Sequence, residues 1–340
     1  MESSPQTSAN FKEELEFKDC YVKYCKDHKI STPTKTLAHQ TDPSSLSVNA
    51  DRMKVSDWEA IFVALQKETL IKKLCVLSSK RKKDWLSSVD ENVKSEFAAS
   101  SVKGPPIFTN YILEKLLTAV VKALLRKESV CEFLKLELPL GPNYCLLFSQ
   151  GIPGALKLRR LSLSGCSIGD EGCRYICDAL KMMPHIRELD LSECNLGTQS
   201  VDKIVDLLKC HGLILSTVAW ETSFRYRAPK INTSMGLARL TLNKNQEIGD
   251  EGAKKLAEAL KDDMSLKAID LQGCKITAEG ATSLLGMLHH NKILKLIDVR
   301  GNGLSIYMTE TITRVLHCKE RVAAAKKDDF PVEWLPLVSN

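Results

Sequence analysis

No stretch of this sequence is apolar and long enough to cross a bilayer, and no apolar segment follows Met1-Glu2-Ser3-Ser4. Both absences predict a soluble intracellular protein without membrane insertion. No phosphate-cradling G-x-x-x-x-G-K-[ST], no G-x-S-x-G elbow and no H-E-x-x-H occurs, so nothing offers a hold for a nucleotide, an acyl-enzyme or a catalytic zinc. The twelve cysteines contain no C-x-x-C pair, which argues against a structural metal. Charge of one sign is not in excess either. Lys and Arg number 48 against 42 Asp and Glu, and the net +6 is too dilute over 340 residues to mark a nucleic-acid binder. Together these absences predict no enzymatic activity, no cofactor and no nucleic-acid partner.

What is present is repetition. The text from Leu158 through Leu161, Leu163, Cys166 and Ile168 returns at Ile186, Leu237, Leu266 and Leu294. The pattern is L-x-x-L-x-L-x-x-N/C-x-L, a leucine-rich repeat, and its second half carries apolar residues at helical spacing, as in Gly172, Ile176 and Leu180. Starts at 158 and 186 lie 28 residues apart, long enough for a strand, a tight turn and a helix in each copy. A helix is about 10 Å across while strands lie about 4.8 Å apart, so a stack of such units must fan out on its helical side. The predicted fold is α/β: a leucine-rich repeat solenoid, a horseshoe with a concave parallel sheet and convex helices. Weaker copies open near 43, 71 and 133, which brings the count to about eight. One repeat cannot bury its apolar face alone, but a stack can.

The predicted organisation is a disordered start and capping helix over 1–45, a solenoid over 46–305, and a C-terminal cap and tail over 306–340. The capping helix is placed at Phe11 to Ile30, with Phe11, Leu15, Val22 and Cys25 on its apolar side and Phe17, Tyr21 and Tyr24 beside them. Two insertions interrupt the repeats, near 78–106 after a strand and near 212–236 after a helix. They leave by opposite rims and are not expected to form one site. The basic run Lys80 to Lys83 in the first reads as a solvated loop, the alternative being an importin or phosphate patch. The tail around Phe330 and Trp334 is expected to cover the last repeat.

Several constellations have bland readings. Asp170-Glu171 and Asp250-Glu251, each between glycines, are predicted to satisfy the free N–H groups of the helices that they open. Cys166, Cys194 and Cys274 fill the Asn/Cys position of the repeat and are read as small buried thiols. His289-His290 lies near a helix end, where imidazole meets free carbonyls.

Two surfaces suggest protein recognition. The outward strand positions include Arg160, Glu188, Asp190, Arg239, Asn243, Asp270, Asp298 and Arg300, a mixed-charge concave wall suited to choosing partners by complementarity. The second insertion holds Trp220, Phe224, Arg225, Tyr226 and Arg227, residue types enriched in binding hot spots. The competing reading is that these aromatics fasten the insertion to the solenoid.

The repeat text resembles the ribonuclease-inhibitor class, which supplies an alternative function: direct inhibition of an enzyme held in the concave face. The interruptions are more particular. Asn49 to Met53 with Asp57-Trp58, Trp220-Glu221 with Arg225 to Arg227 and Pro229, and Asp270-Leu271-Gln272 with Cys274 are similar to the repeat region of the centrosomal protein of 78 kDa family. That resemblance implies a non-enzymatic protein of the cytoplasm, centrosome, centriole and cilium basal body. It would act in cilium assembly by binding regulators, among them a cullin-type ubiquitin ligase through its substrate receptor and a polo-like kinase. The family continues into a long C-terminal region with a coiled coil, whereas this sequence stops at Asn340, so functions of that region are not carried over.

Overall fold

The computed structural model describes residues 17–30, 42, 44–67, 70–78, 106–127, 129–222 and 235–324. Eight strands lie side by side in chain order in one parallel sheet: β1 (Ser45–Asn49), β2 (Lys73–Leu77), β3 (Phe133–Glu137), β4 (Arg160–Ser162), β5 (Glu188–Asp190), β6 (Arg239–Thr241), β7 (Ala268–Asp270) and β8 (Leu296–Asp298). Each is followed by a helix on the other layer: α2 (Val55–Lys67), α3 (Asn110–Leu124), α4 (Pro142–Gly151), α5 (Gly169–Leu180), α6 (Thr198–Thr222), α7 (Gly249–Leu260), α8 (Ala278–His290) and α9 (Ile306–Ala324). A further helix, α1 (Phe17–Asp27), precedes β1. This is the leucine-rich repeat solenoid that the spacing predicts.

Register follows the leucines. Leu161 pairs with Leu189, Leu189 with Leu240, and Leu240 with Ile269, so the same repeat position stacks along the whole sheet. These residues and the helical Ile176, Leu180, Leu256, Leu260, Leu284 and Leu288 are buried in one continuous core between the two layers. After the strands the chain turns through the left-handed region at Gly165, Glu193, Lys244, Gly273 and Gly301, always two residues past the final leucine-type position.

Polar bonds then fasten repeat to repeat. The side chain of Asn245 donates to the Leu191 and Leu242 carbonyls at 2.9 and 2.8 Å and accepts from the N–H groups of Cys194 and Leu196. Asn302 does the same with Leu271, Val299, Cys274 and Ile276. At the cysteine positions the thiols of Cys166, Cys194 and Cys274 point back to carbonyls of the preceding repeat, Leu136, Leu163 and Leu242, at 3.1 to 3.2 Å. They are buried and free, and burial pushes the Cys274 thiol up to about 11. Such thiols are inert at neutral pH.

Three expectations need correction. The apolar side of α1 is Phe17, Tyr21 and Cys25, packed on α2, and Val22 is only half-buried; Phe11 and Leu15 lie outside the described residues. The second insertion does not begin as a loop. Helix α6 runs for 25 residues where α5 and α7 have 12, and it carries the chain through Trp220 to Thr222. Finally, the first acid of each glycine-acid pair serves the next helix rather than its own. Asp170 accepts from the backbone of Gly197 and Ser200 at the start of α6, and Asp250 accepts from Thr277 and Gly280 at the start of α8. Burial works against the ionised form of Asp250, but donation from Thr277 and Gly280 holds its carboxyl below the ordinary value of 3.8. His290 does meet a helical carbonyl, Gly286 O, at 2.9 Å. The Lys80–Lys83 run, Phe224 to Arg227 and the Phe330–Trp334 tail lie outside the described residues.

Helix α8 contains its own control for the capping geometry. A methyl group added at Gly280 would lie 2.5 Å from Asp250 Oδ1 and 2.9 Å from Ile276 Cγ2, whereas one added at Gly286 meets nothing within 4 Å. Glycine to alanine inside a helix ordinarily stabilises by about 0.5–1 kcal/mol. Gly286→Ala is expected to raise the unfolding free energy by that amount, and Gly280→Ala to lower it. Urea titration of both variants checks the opposite signs, and a gain from Gly280→Ala would refute the inter-repeat cap.

Candidate protein-interaction surface

The concave wall is built from alternate strand positions, because every second side chain of a strand points away from the core. Three rows result. One is Lys73, Phe133, Arg160, Glu188 and Arg239; the next is Lys135, Ser162, Asp190, Thr241, Asp270 and Asp298, in register from strand to strand. The third, just past the shorter strands, contains Ser192, Asn243, Gln272 and Arg300.

The structure brings most of the expected site residues together on this wall, but it does not leave all their charges exposed. Asp270 is 2% exposed. Arg239 donates to its Oδ2 through Nε and Nη2, the latter at 2.7 Å, and Thr241 Oγ1 donates to the same oxygen at 3.1 Å. Asp298 is likewise buried. It accepts from Gln272 Nε2 at 2.7 Å and from the Arg300 guanidinium at 2.7 Å. Asp190 accepts from the hydroxyls of Ser162 and Ser192 at 2.8 and 2.7 Å. Asn243 uses its side-chain oxygen to accept from Gln272 N. Hence Asp270 and Asp298 are not outward-facing charges, as the alternation alone suggests. They are counterions under Arg239 and Arg300.

Trp220 stands apart from the wall, on α6, and is 79% exposed. On the same extension Leu213 is 68% exposed while Leu215 and Ala219 are buried, so α6 beyond His211 has one face on the solenoid and one outward. Sequence reasoning missed Lys73 and Phe133, which complete the first row. Aligning the second and third copies strand by strand would have found them, since each occupies the position that Arg160 holds in the fourth.

Among the described residues no group of three or more His, Cys, Asp or Glu could hold a metal ion, and no helix is long and apolar enough to cross a membrane.

The Asp270 carboxyl is held above its ordinary 3.8, because burial outweighs the help of Arg239 and Thr241 and because Asp298 adds repulsion. A carboxyl with a raised folded pKa binds its proton more tightly in the native state than in the unfolded one. Its contribution to stability therefore falls as pH rises through the interval above 3.8. Asp270→Asn is expected to flatten the stability profile in that interval. Arg239→Ala, which strands a buried carboxylate, is expected to cost about 3 kcal/mol at neutral pH and less in acid, when Asp270 is neutral. Denaturant titrations from pH 4 to 7 decide both.

Comparison with known proteins agrees with this architecture. The leucine-rich repeat family model matches residues 155–177, 183–205, 237–257 and 263–285. The Cep78 homolog of Drosophila melanogaster is 30% identical over 302 residues, covering 88% of this chain and 36% of that protein. The human centrosomal protein of 78 kDa is 34% identical over 242 residues, 71% of this chain and 34% of that protein. Among solved structures, the yeast Rad7 and Elc1 complex aligns at a TM-score of 0.41 with 15% identity, over 77% of this chain and 64% of that one. The chain thus spans about a third of the length of these curated relatives, and by its repeats and its identity to them it belongs to the centrosomal protein of 78 kDa family.

Proposed function

We propose that this chain is a non-enzymatic interaction scaffold of the centrosome, acting at the centriole and cilium basal body in cilium assembly. The observation that carries the reading is the 302-residue match to a Cep78 homolog, which covers 88% of this chain. A second feature fits it. The wall is polar and held by hydrogen bonds between strands, and such a surface is suited to recognising proteins by charge.

The partners proposed are a cullin-type ubiquitin ligase, through its substrate receptor, and a polo-like kinase. The contact residues proposed are Glu188, Asp190, Arg239, Asn243 and Arg300 on the wall and Trp220 on the α6 extension. Tryptophan is among the commonest hot-spot residues, and the exposed ring lies on the same helix face as the exposed Leu213, about two turns away.

Tagged chain in ciliated cells is expected to concentrate at a centrosomal marker; even spread through the cytoplasm would sink the proposal. Because Trp220 is largely exposed, Trp220→Ala is expected to change stability by no more than about 0.5 kcal/mol while lowering recovery of the ligase receptor or the kinase severalfold. A large loss of stability with unchanged recovery would mean that the ring packs against the solenoid instead of a partner.

A further inference from the structure

The eight strands contain four basic residues, Lys73, Lys135, Arg160 and Arg239. Two are neutralised on the wall itself, Lys135 by Glu137 at 3.6 Å and Arg239 by Asp270 at 2.7 Å. Lys73 and Arg160 are exposed, and neither forms an ion pair with any of the described residues. They are register partners of the same residue, Phe133, from its two sides. Lys73 Nζ lies 5.4 Å and Arg160 Cζ 5.1 Å from the centre of the Phe133 ring. Attraction between a cation and an aromatic face restrains two otherwise flexible side chains, so less ordering remains to be done when a ligand arrives.

We propose that this patch docks an acidic segment of a partner protein, with carboxylates paired to Lys73 and Arg160 and an apolar stretch across Phe133. The inference rests on the wall being a protein-binding face and names the chemistry that one part of it takes. Spacing supports it. Residues two strands apart lie about 9.6 Å from each other, and in a polyproline II segment residues three apart fall on one side about 9.3 Å from each other. Two carboxylates separated by two residues, in a proline-rich or extended stretch, therefore match the pair of cations.

The surroundings favour a short acidic peptide over a nucleic acid. Next to Arg160 in the row stands Glu188, its register partner on β5, and Asp190 follows in the adjoining row. A long polyanion crossing the wall would meet these carboxylates within one strand of leaving the patch, whereas a peptide can change composition along its length.

The test uses the full chain and a fluorescein-labelled peptide with the core glutamate-proline-proline-glutamate, read by anisotropy at low salt. Expected is saturable binding, at least fivefold tighter than for the glutamine-proline-proline-glutamine control, and weakened as salt rises. Lys73→Gln with Arg160→Gln, both exposed positions, is expected to reduce affinity at least tenfold with an unchanged unfolding midpoint. Equal binding of the glutamine peptide, no binding at all, or full affinity in the double variant would overturn the site. So would a single-stranded oligothymidylate that binds the same residues more tightly than the peptide. If the peptide fails while tagged chain still gathers at the centrosome, this site falls and the scaffold reading stands.

Discussion

The stack depends on buried polar bonds that no repeat can make alone. The turns after the strands bury backbone N–H and C=O groups, and each such group left without a partner costs about 1–3 kcal/mol. Asn245 satisfies two donors and two acceptors in two successive repeats, and Asn302 repeats the arrangement after the last strand. A thiol can do only part of this, donating one weak bond, and the turns at Cys194 and Cys274 are completed by the asparagine of the following repeat. Asp170 and Asp250 add a second line of bonds on the helical side, where each caps the helix of the following repeat. Register is consequently specified at both layers, and the leucines supply the area that makes it worth forming.

The same constraint explains how the two insertions are tolerated. The first leaves, and the second returns, at a point where the chain is tied to its neighbours. Ser78, the last described residue before the first insertion, donates its N–H to Glu137 O at 3.1 Å and its hydroxyl to Asp51 at 2.6 Å, which joins three repeats. At the second, Gly236 N donates to Pro184 O at 2.6 Å and the Arg187 guanidinium reaches the Met235 and Gly236 carbonyls. Thus β6 pairs with β5 in the repeat register although 48 residues separate the end of one from the start of the other. Closing a longer loop costs little extra entropy once its ends are fixed.

The repeating leucines made the architecture readable, because burial depends on a residue's own type and spacing. Strand positions in the other copies, from Leu46 to Ile297, the start of α3 after Thr109 and the thiols at the Asn/Cys positions follow from that rule. In the third copy Phe133, Leu136 and Leu138 look like the leucine-type positions, but the sheet pairs Phe133 with Arg160 and Leu134 with Leu161, two residues away. What escaped depends on pairs. Asp170 looks like a cap for its own helix until the next repeat is laid beside it, about 4.8 Å away in strand spacing. Asp270 and Asp298 look like surface charges until Arg239 and Arg300 close over them. The length of α6 was hidden because the repeat spacing locates surplus residues near 212–236 but does not say whether they continue the helix; Gly212 lies at that boundary. In the structure it sits inside the helix with open space at its side, only a weak helix former and not a terminating residue.

These pairings divide the wall in a way that bears on function. From β6 to β8, Asp270 and Asp298 are register partners, two buried carboxylates on adjacent strands whose repulsion must be offset locally, and Arg239 and Arg300 supply that offset. Those arginines are committed to the fold, and a partner that drew one away would leave a buried charge behind. This half of the wall is therefore a stiff surface with little net charge to offer. From β2 to β4, among the described residues, no ion pair engages Lys73 or Arg160, and both cations lie over the ring of Phe133. A cation held by an aromatic ring can accept a carboxylate without releasing anything else in the structure. On the proposed reading, unpaired positive charge is offered to a partner at the β2 to β4 patch, whereas Arg239 and Arg300 meet it as groups already neutralised by Asp270 and Asp298.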